Sequence, residues 1–329
     1  MATEAWTTRS LREWMRGFLQ QKGVESAPAC ADLLLGHVAG CERMRLYMEP
    51  DRPWTADELA TLRALVGRAA QHEPVQYLVG SWGFHAGDFE VGPCTLIPRP
   101  STETIVDAAL GWIAEQPSGS VSSAIDLGTG TGCIALSILR ALRGRRRKDR
   151  VLARATLAEG DGTEAPASDR PGRTPDADPS PLPAFMLTDL VPEAIELARR
   201  NAARHGLDGH CSFRVGDAWS ALEAGDGPFD LVVSNPPYIS DAEFADLAPN
   251  VAQWEPRTAL HGGPDGMDVI ERIVRGAPSR MRPGALLLVE LAASQERAAL
   301  DLAHACGLRG ATVLRDSDDL PRVLRAVVA

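Results

Sequence analysis

Residues Ala124–Gly132 read AIDLGTGTG. A short apolar run reaches an acid, turns on three alternating glycines, and passes into Ile134–Leu142, whose apolar residues recur at helical spacing. Strand, glycine turn and helix in that order form the first half of a βαβ unit. Glycine lets backbone approach a ligand closely, and the amides that open a helix favour an anion or carboxylate. The spacing Gly128, Gly130, Gly132 is GxGxG rather than the GxGxxG of dinucleotide folds. By itself it is equally compatible with a plain tight turn.

Working outward, the alternation continues. Ala184–Leu187 reads as a strand and Pro192–His205 as a helix with proline in its first turn. Ser212–Val215 and Leu231–Ser234 read as strands, Met267–Met281 as a helix, Ala285–Leu291 as a strand and Gln295–Cys306 as a helix. Two strands near Ala311–Leu314 and Val323–Val328 close the chain. Alternating strands and helices predict an α/β fold with a mostly parallel sheet covered on both faces.

One segment breaks the rhythm. Residues 144–183 open with GRRRKDR and continue with a run rich in Pro, Gly, Asp and Ser. Such a run buries too little apolar surface to offset its ordering entropy, so it reads as a disordered insertion in a surface loop. The basic cluster Arg145, Arg146, Arg147 and Lys148 reads as a solvated helix end.

Residues 7–70 have a different texture. Leu11, Trp14, Met15, Phe18 and Leu19 recur at helical spacing, as do Ala31, Leu34, Leu35 and Val38. Leu59, Leu62, Leu65 and Val66 follow, behind Thr55 and Glu58 at capping-box spacing. These stripes read as the core of a small helical domain. Residues 82–97, WGFHAGDFEVGPCTLI, read as a hairpin turning around Gly87-Asp88 and Gly92-Pro93.

The chain has 329 residues, 44% of them hydrophobic, and a net charge of -10. An acidic surface argues against tight, non-specific nucleic-acid binding, which needs clustered Lys and Arg. The six cysteines form no CxxC pair and read as buried small hydrophobes in a reducing compartment. No metal site is expected. No signal peptide or membrane-length apolar run is visible, so the expectation is a cytoplasmic protein with no membrane partner.

Three further strand ends carry polar signals. Asp189, in MLTDLVPEAIELARRNA, follows a strand and precedes an amphipathic helix, where an acid would accept ribose hydroxyls. Glu159 and Asp161 are rivals by position, and Asp189 is preferred because the helix follows it directly. Asp217, in FRVGDAWSAL, could accept the amine of an adenine, with Ala218 and Trp219 beside the ring. Last, Leu231–Tyr238 reads LVVSNPPY: a buried strand running into Asn235, Pro236, Pro237 and Tyr238. A proline pair alone would be a strand terminator. Four consecutive strand ends with polar or glycine signals are far more specific, because open parallel sheets bind ligands at their carboxyl ends.

On these residues the chain resembles the class I S-adenosylmethionine-dependent methyltransferases. More closely it resembles the HemK-type peptide chain release factor N5-glutamine methyltransferases. The resemblance runs through EPVQYLVGSWGFHAGDFEVGPCTLIPRPSTE (Glu73–Glu103), DLGTGTG, TDLVPEAIELARRNA, GDAWSAL, SNPPYI, EPRTAL (Glu255–Leu260) and GPDGMDVI (Gly263–Ile270). Two features depart from the family pattern: the insertion at 144–183, and LLLVELAAS (Leu286–Ser294) at a strand that usually ends LLLE-[IH]-G.

The resemblance implies a seven-stranded, mostly parallel sheet at 101–329, a helical substrate-recognition domain at 1–76 and a hairpin linker at 77–100. It implies S-adenosylmethionine as cofactor, S-adenosylhomocysteine as product, no metal, and a monomer acting on class 1 release factors. Cofactor contacts would come from Asp126, Gly128, Thr129, Gly130, Thr131, Gly132, Asp189, Asp217, Ala218, Trp219 and Asn235. Arg99 and Asn235–Tyr238 would hold the substrate, with Asn235, Pro236, Pro237 and Tyr238 as the catalytic set. A planar amide has a delocalised lone pair, so its nitrogen must be held in line with the methyl group. The side-chain oxygen of Asn235 and the carbonyl of Pro236 could each accept one N–H, on a turn that two prolines keep rigid. Adenine-N6 methyltransferases also carry NPPY, and their exocyclic amine has the same planar NH2. That activity is one alternative; a non-catalytic cofactor-binding partner protein is another.

Overall fold

The computed structural model describes residues 6–145 and 182–329. Most of the expected insertion, with Glu159 and Asp161, lies outside the described residues. The chain clusters into two compact units.

The first unit comprises Met1–Trp82, Glu90–Ile97 and Glu243–Arg257. Its helices are α1 (Thr8–Gln21), α2 (Ala27–Ala39), α3 (Arg43–Met48), α4 (Ala56–Ala69) and α5 (Val75–Val79). Thr55 and Glu58 form the expected capping box on α4, and Thr7 with Ser10 forms one on α1 that the sequence reading did not anticipate. Leu11, Met15 and Leu19 pack with Leu34, Leu35, Leu62 and Val66 in one core. Each fully buried side chain of this size stabilises by roughly 1.5–3 kcal/mol. Asp32 is buried among them, accepting bonds from Arg12 (2.8 Å), Arg43 (2.9 Å) and the Tyr47 hydroxyl (2.8 Å). Against the cost of burial, those three donors hold its carboxyl below the usual range. In the same unit the backbone N–H of Ile97 donates to buried Glu255 at 3.1 Å, joining the IPRP segment to EPRTAL.

The hairpin comprises β1 (Ser81–Phe84) and β2 (Gly87–Glu90). Its turn falls at His85-Ala86, both at positive φ (44° and 57°), slightly earlier than the glycine-based expectation. Paired positive φ values match the twist that two-residue hairpin turns require, even without glycine.

The second unit comprises Gly83–Phe89, Pro98–Ala242 and Thr258–Ala329. Its strands are β3 (Ser123–Leu127), β4 (Ala184–Asp189), β5 (Cys211–Val215), β6 (Phe229–Ser234), β7 (Met281–Glu290), β8 (Arg309–Arg315) and β9 (Pro321–Val327). They form one seven-stranded sheet in the order β5-β4-β3-β6-β7-β9-β8. β3 to β7 pair parallel, and β9 runs antiparallel to both β7 and β8. The α/β architecture with a mostly parallel sheet is therefore as expected.

Helices α6 (Glu103–Glu115), α7 (133–145) and α8 (Pro192–Arg204) share a core with one face of the sheet. Helices α11 (Asp268–Arg280) and α12 (Glu296–Ala305) share the other; the short α9 (Asp241–Ala245) and α10 (Pro249–Ala252) precede them in the chain, α10 within the first unit. Successive strand residues alternate between the two cores: Leu231 and Val233 face one, Val232 the other. Burial on both faces is why these strands read as unbroken apolar runs. Parallel register also aligns the carboxyl ends. Leu127 pairs with both Thr188 and Ser234, and Ser234 pairs with Val289.

The six cysteines are free. Cys30 and Cys133 are buried as expected, whereas Cys41, Cys94, Cys211 and Cys306 are only partly so.

Candidate active site

The glycine turn follows β3 directly, and the neighbouring strand braces it. Thr129 N–H donates to the Thr188 carbonyl at 2.8 Å, and the buried Asn201 amide donates to the Thr131 carbonyl at 2.9 Å. Gly132 sits at φ 80°, where a Cβ would press on Leu136, Leu187 and Ala198 at 3.1–3.4 Å. Only glycine lets α7 pack that closely on β4 and α8. Gly128 differs: at φ 69° the position its Cβ would take is open.

Two carboxylates flank the turn. Asp126 is fully buried; its Oδ2 accepts from the Thr129 hydroxyl at 2.7 Å, and its Oδ1 has no partner among the described residues. Burial, with the Asp189 charge adding to it, pushes its pKa up to about 7. Asp189 ends β4. Its Oδ2 accepts from Gly130 N–H and its Oδ1 from Val191 N–H, both at 2.9 Å. Burial raises its pKa against those two bonds. Asp189 thus ties the end of β4 to the glycine turn, a structural task the sequence reading did not assign to it.

Past β5, Asp217 is about half exposed and paired with Arg272 of α11. Ala218 holds a positive φ of 47°. The indole N–H of Trp219 donates to the Ile273 carbonyl at 3.1 Å, and its ring lies where a side chain at Gly276 would be. That edge of Trp219 is committed to packing α11.

Asn235, Pro236, Pro237 and Tyr238 follow β6 at the same carboxyl edge. Asn235 Nδ2 donates to Thr102 Oγ1 at 3.1 Å. The Tyr238 hydroxyl donates to Glu290 Oε1 at 3.2 Å, and burial, followed by the Glu290 charge, raises its pKa. The Tyr238 carbonyl accepts from Gln295 Nε2 at 2.9 Å. Arg99 lies near enough to act electrostatically on Tyr238.

Four supports of this turn had no role assigned from the sequence: Thr102, Glu290, Gln295 and the glycine loop after Leu260. A Cβ on Gly262 would meet the Pro237 carbonyl at 2.6 Å, and one on Gly266 (φ 77°) would collide with the Tyr238 carbonyl and Gln295. Gly262 and Gly266 of HGGPDG are therefore demanded by the NPPY backbone, whereas a Cβ on Gly263 would meet Asp268 instead. Glu290 is fully buried, and burial pushes its pKa up to about 7 against the Thr102 hydroxyl, Arg322 and the Tyr238 hydroxyl. A charge inside LLLVELAAS was the available signal, since buried acids are rare without partners. The strand ends at Glu290, one residue before the expected Leu291.

The N-terminal region matches the PrmC N-terminal domain family over residues 10–80, and residues 179–299 match a methyltransferase domain family. The release factor glutamine methyltransferase of Geobacter sulfurreducens is 35% identical over 98% of this chain and 96% of its own length. This chain belongs to the release factor glutamine methyltransferase family. The Chlorobaculum tepidum relative of the same name is 36% identical over 88% of this chain and 86% of its own.

Members of this family are methyltransferases, and this enzyme uses S-adenosylmethionine. The residues present fit that group. Gly128 leaves open space beside the turn, Asp126 Oδ1 lacks a partner, and Asp189 and Asp217 stand at the next two strand ends. When bound, the cofactor supplies an electrophilic methyl group on a sulfonium. Among the described residues no cluster of His, Cys, Asp or Glu is arranged to hold a metal ion, and no helix is long and apolar enough to cross a membrane.

Proposed function

We propose that this enzyme methylates the side-chain amide nitrogen of the glutamine in the GGQ loop of class 1 peptide chain release factors. It would do so in the cytoplasm, as a monomer, without metal and without stable binding to nucleic acid. The glycine turn, Asp126, Asp189 and the Asp217 strand end hold the cofactor. Asn235 and Pro236 hold the amide. The Asn235 side-chain oxygen accepts one N–H and the Pro236 carbonyl the other, so the nitrogen lone pair is aimed at the methyl carbon. The nitrogen would take the methyl group that a cofactor held there supplies, its new N–C bond replacing the S–C bond. It then releases one proton to solvent, leaving S-adenosylhomocysteine. Positioning and fixed dipoles carry the catalysis, and no histidine base is needed.

The observation that carries this reading is the bond from Asn235 Nδ2 to Thr102 Oγ1, which leaves the side-chain oxygen as the group offered to a ligand. Family membership favours glutamine over the adenine amine, which would fit the same pair of acceptors. The test is incubation with methyl-labelled cofactor and purified release factor, its GGQ glutamine variant, DNA and RNA in separate reactions. Label should enter the release factor alone and vanish with the glutamine. Label in nucleic acid alone would reverse the assignment.

A further inference from the structure

Asparagine is ambiguous at an active site. Its two amide ends have the same shape and opposite hydrogen-bonding character. If Asn235 turned its NH2 outward, it would present a donor to a substrate amide whose NH2 needs an acceptor. Something must select the orientation.

Parallel register brings the selecting residues together. Ser234 pairs with Val289, so Asn235, the first residue past β6, follows that pair as Glu290, the last residue of β7, does. Thr102 lies in IPRPSTE and starts no capping bond on α6, although it stands at the N-cap position. Its side chain is buried and accepts from Asn235 Nδ2 at 3.1 Å. A hydroxyl that accepts still has one proton to donate, and the buried acid that the β6–β7 register sets beside Asn235 is Glu290, whose charge the Thr102 hydroxyl favours. Glu290 Oε1 receives the Tyr238 hydroxyl at 3.2 Å, and its buried Oε2 has no partner among the described residues, so it is open to a further donor. Arg322 on β9 and, behind it, Asp316 are the other charges that act on it.

We propose that Thr102 and Glu290 are positioning residues for methyl transfer: Glu290 draws the Thr102 hydroxyl proton, Thr102 must then accept from Asn235, and the Asn235 oxygen is turned toward the incoming amide. The same carboxylate anchors Tyr238, so one buried acid orients both ends of NPPY. This rests on the reading that Asn235 holds the substrate amide. Ionised Glu290 can only accept, which makes the polarity of the chain one-directional.

The test is a single-turnover methyl transfer at about pH 8, where a carboxyl of pKa near 7 is ionised. Purified release factor is saturating and the label is on the cofactor methyl. Thr102→Val keeps shape and removes the acceptor. It should slow the step at least about tenfold, in line with loss of a preorganised group. Calorimetric cofactor affinity and the KM for release factor should stay within about threefold. Thr102→Ser restores the hydroxyl and should return the rate to within about threefold of wild type. Glu290→Gln should slow the step without weakening cofactor binding. In an Asn235→Ala background, Thr102→Val should add less than about twofold, since the amide it orients is gone.

Wild-type rates in Thr102→Val would overturn the proposal, as would an equal penalty in the Asn235→Ala background. No rescue by serine would do the same, because the hydroxyl alone would then not be what sets the rate. A wild-type rate in Asn235→Ala alone would instead overturn the reading of Asn235, and this proposal with it. Thermal melts of each variant separate misfolding from misorientation, and the serine variant keeps the test decisive if Glu290→Gln fails to fold.

Discussion

Asp189 has two tasks, and replacing it should expose both. In Asp189→Ala the N–H groups of Gly130 and Val191 lose acceptors held at 2.9 Å. Hydrogen bonds to a charged acceptor contribute roughly 1.5–3 kcal/mol each. Asp189 is only partly buried, so water can replace part of that loss. Removing the carboxylate also relieves the burial that raises its pKa. A net destabilisation of about 1–3 kcal/mol follows, visible as a melting temperature lower by several degrees. The cofactor loses an acceptor for two ribose hydroxyls as well, so affinity should fall about tenfold to a hundredfold. Asp189→Asn sharpens the case. One oxygen becomes an NH2 that must face a backbone N–H, so stability should fall even though size is unchanged. Calorimetric titration with S-adenosylmethionine and with S-adenosylhomocysteine measures the affinity. Unchanged affinity in Asp189→Ala, with the loss appearing in Glu159→Ala, would refute the assignment and move the ribose contact to that rival.

Asn235→Ala should lower single-turnover rates by about 10²–10³ with cofactor binding intact, and Asn235→Asp should bind cofactor as well or better yet react slowly, because its charge favours the sulfonium ground state; near-wild-type rates in both would reduce Asn235 to a strand terminator. Gly266→Ala should abolish turnover while the cofactor still binds, since its Cβ would collide with the Tyr238 carbonyl and Gln295 at a φ of 77°; full activity would mean the NPPY turn is not held by that loop. The apo enzyme should lose stability as pH rises from about 4 to about 8. Asp126 and Glu290 have folded pKa values raised to about 7, so over that window the folded state holds protons the unfolded state has released. His205, whose pKa burial lowers, works in the opposite sense below its ordinary 6.5. Melting temperatures that are flat or rising from pH 5 to 8 would contradict this balance, and Asp126→Asn should flatten the slope.

The α/β alternation was legible because the central strands β3 and β6 are buried on both faces and the helices on one, patterns that local residue order carries directly. The ligand edge was legible for a related reason. In a parallel sheet the chain leaves every strand at the same end, so AIDLGTGTG, Asp189, Asp217 and SNPPY had to share an edge once their strands were recognised. The supports of that edge were not legible. Thr102 lies 133 residues from Asn235, and Glu290 lies 52 from Tyr238. Their partnership depends on β6 and β7 pairing in one particular register, and on α6 carrying Thr102 to that level. Hydrogen bonds between residues so far apart in the chain leave no periodic trace. GPDGMDVI carried a family resemblance but no role, and only folding laid Tyr238 against Gly262 and Gly266. Local order chose the elements and their facing; register and close approach between distant segments chose which side chains meet.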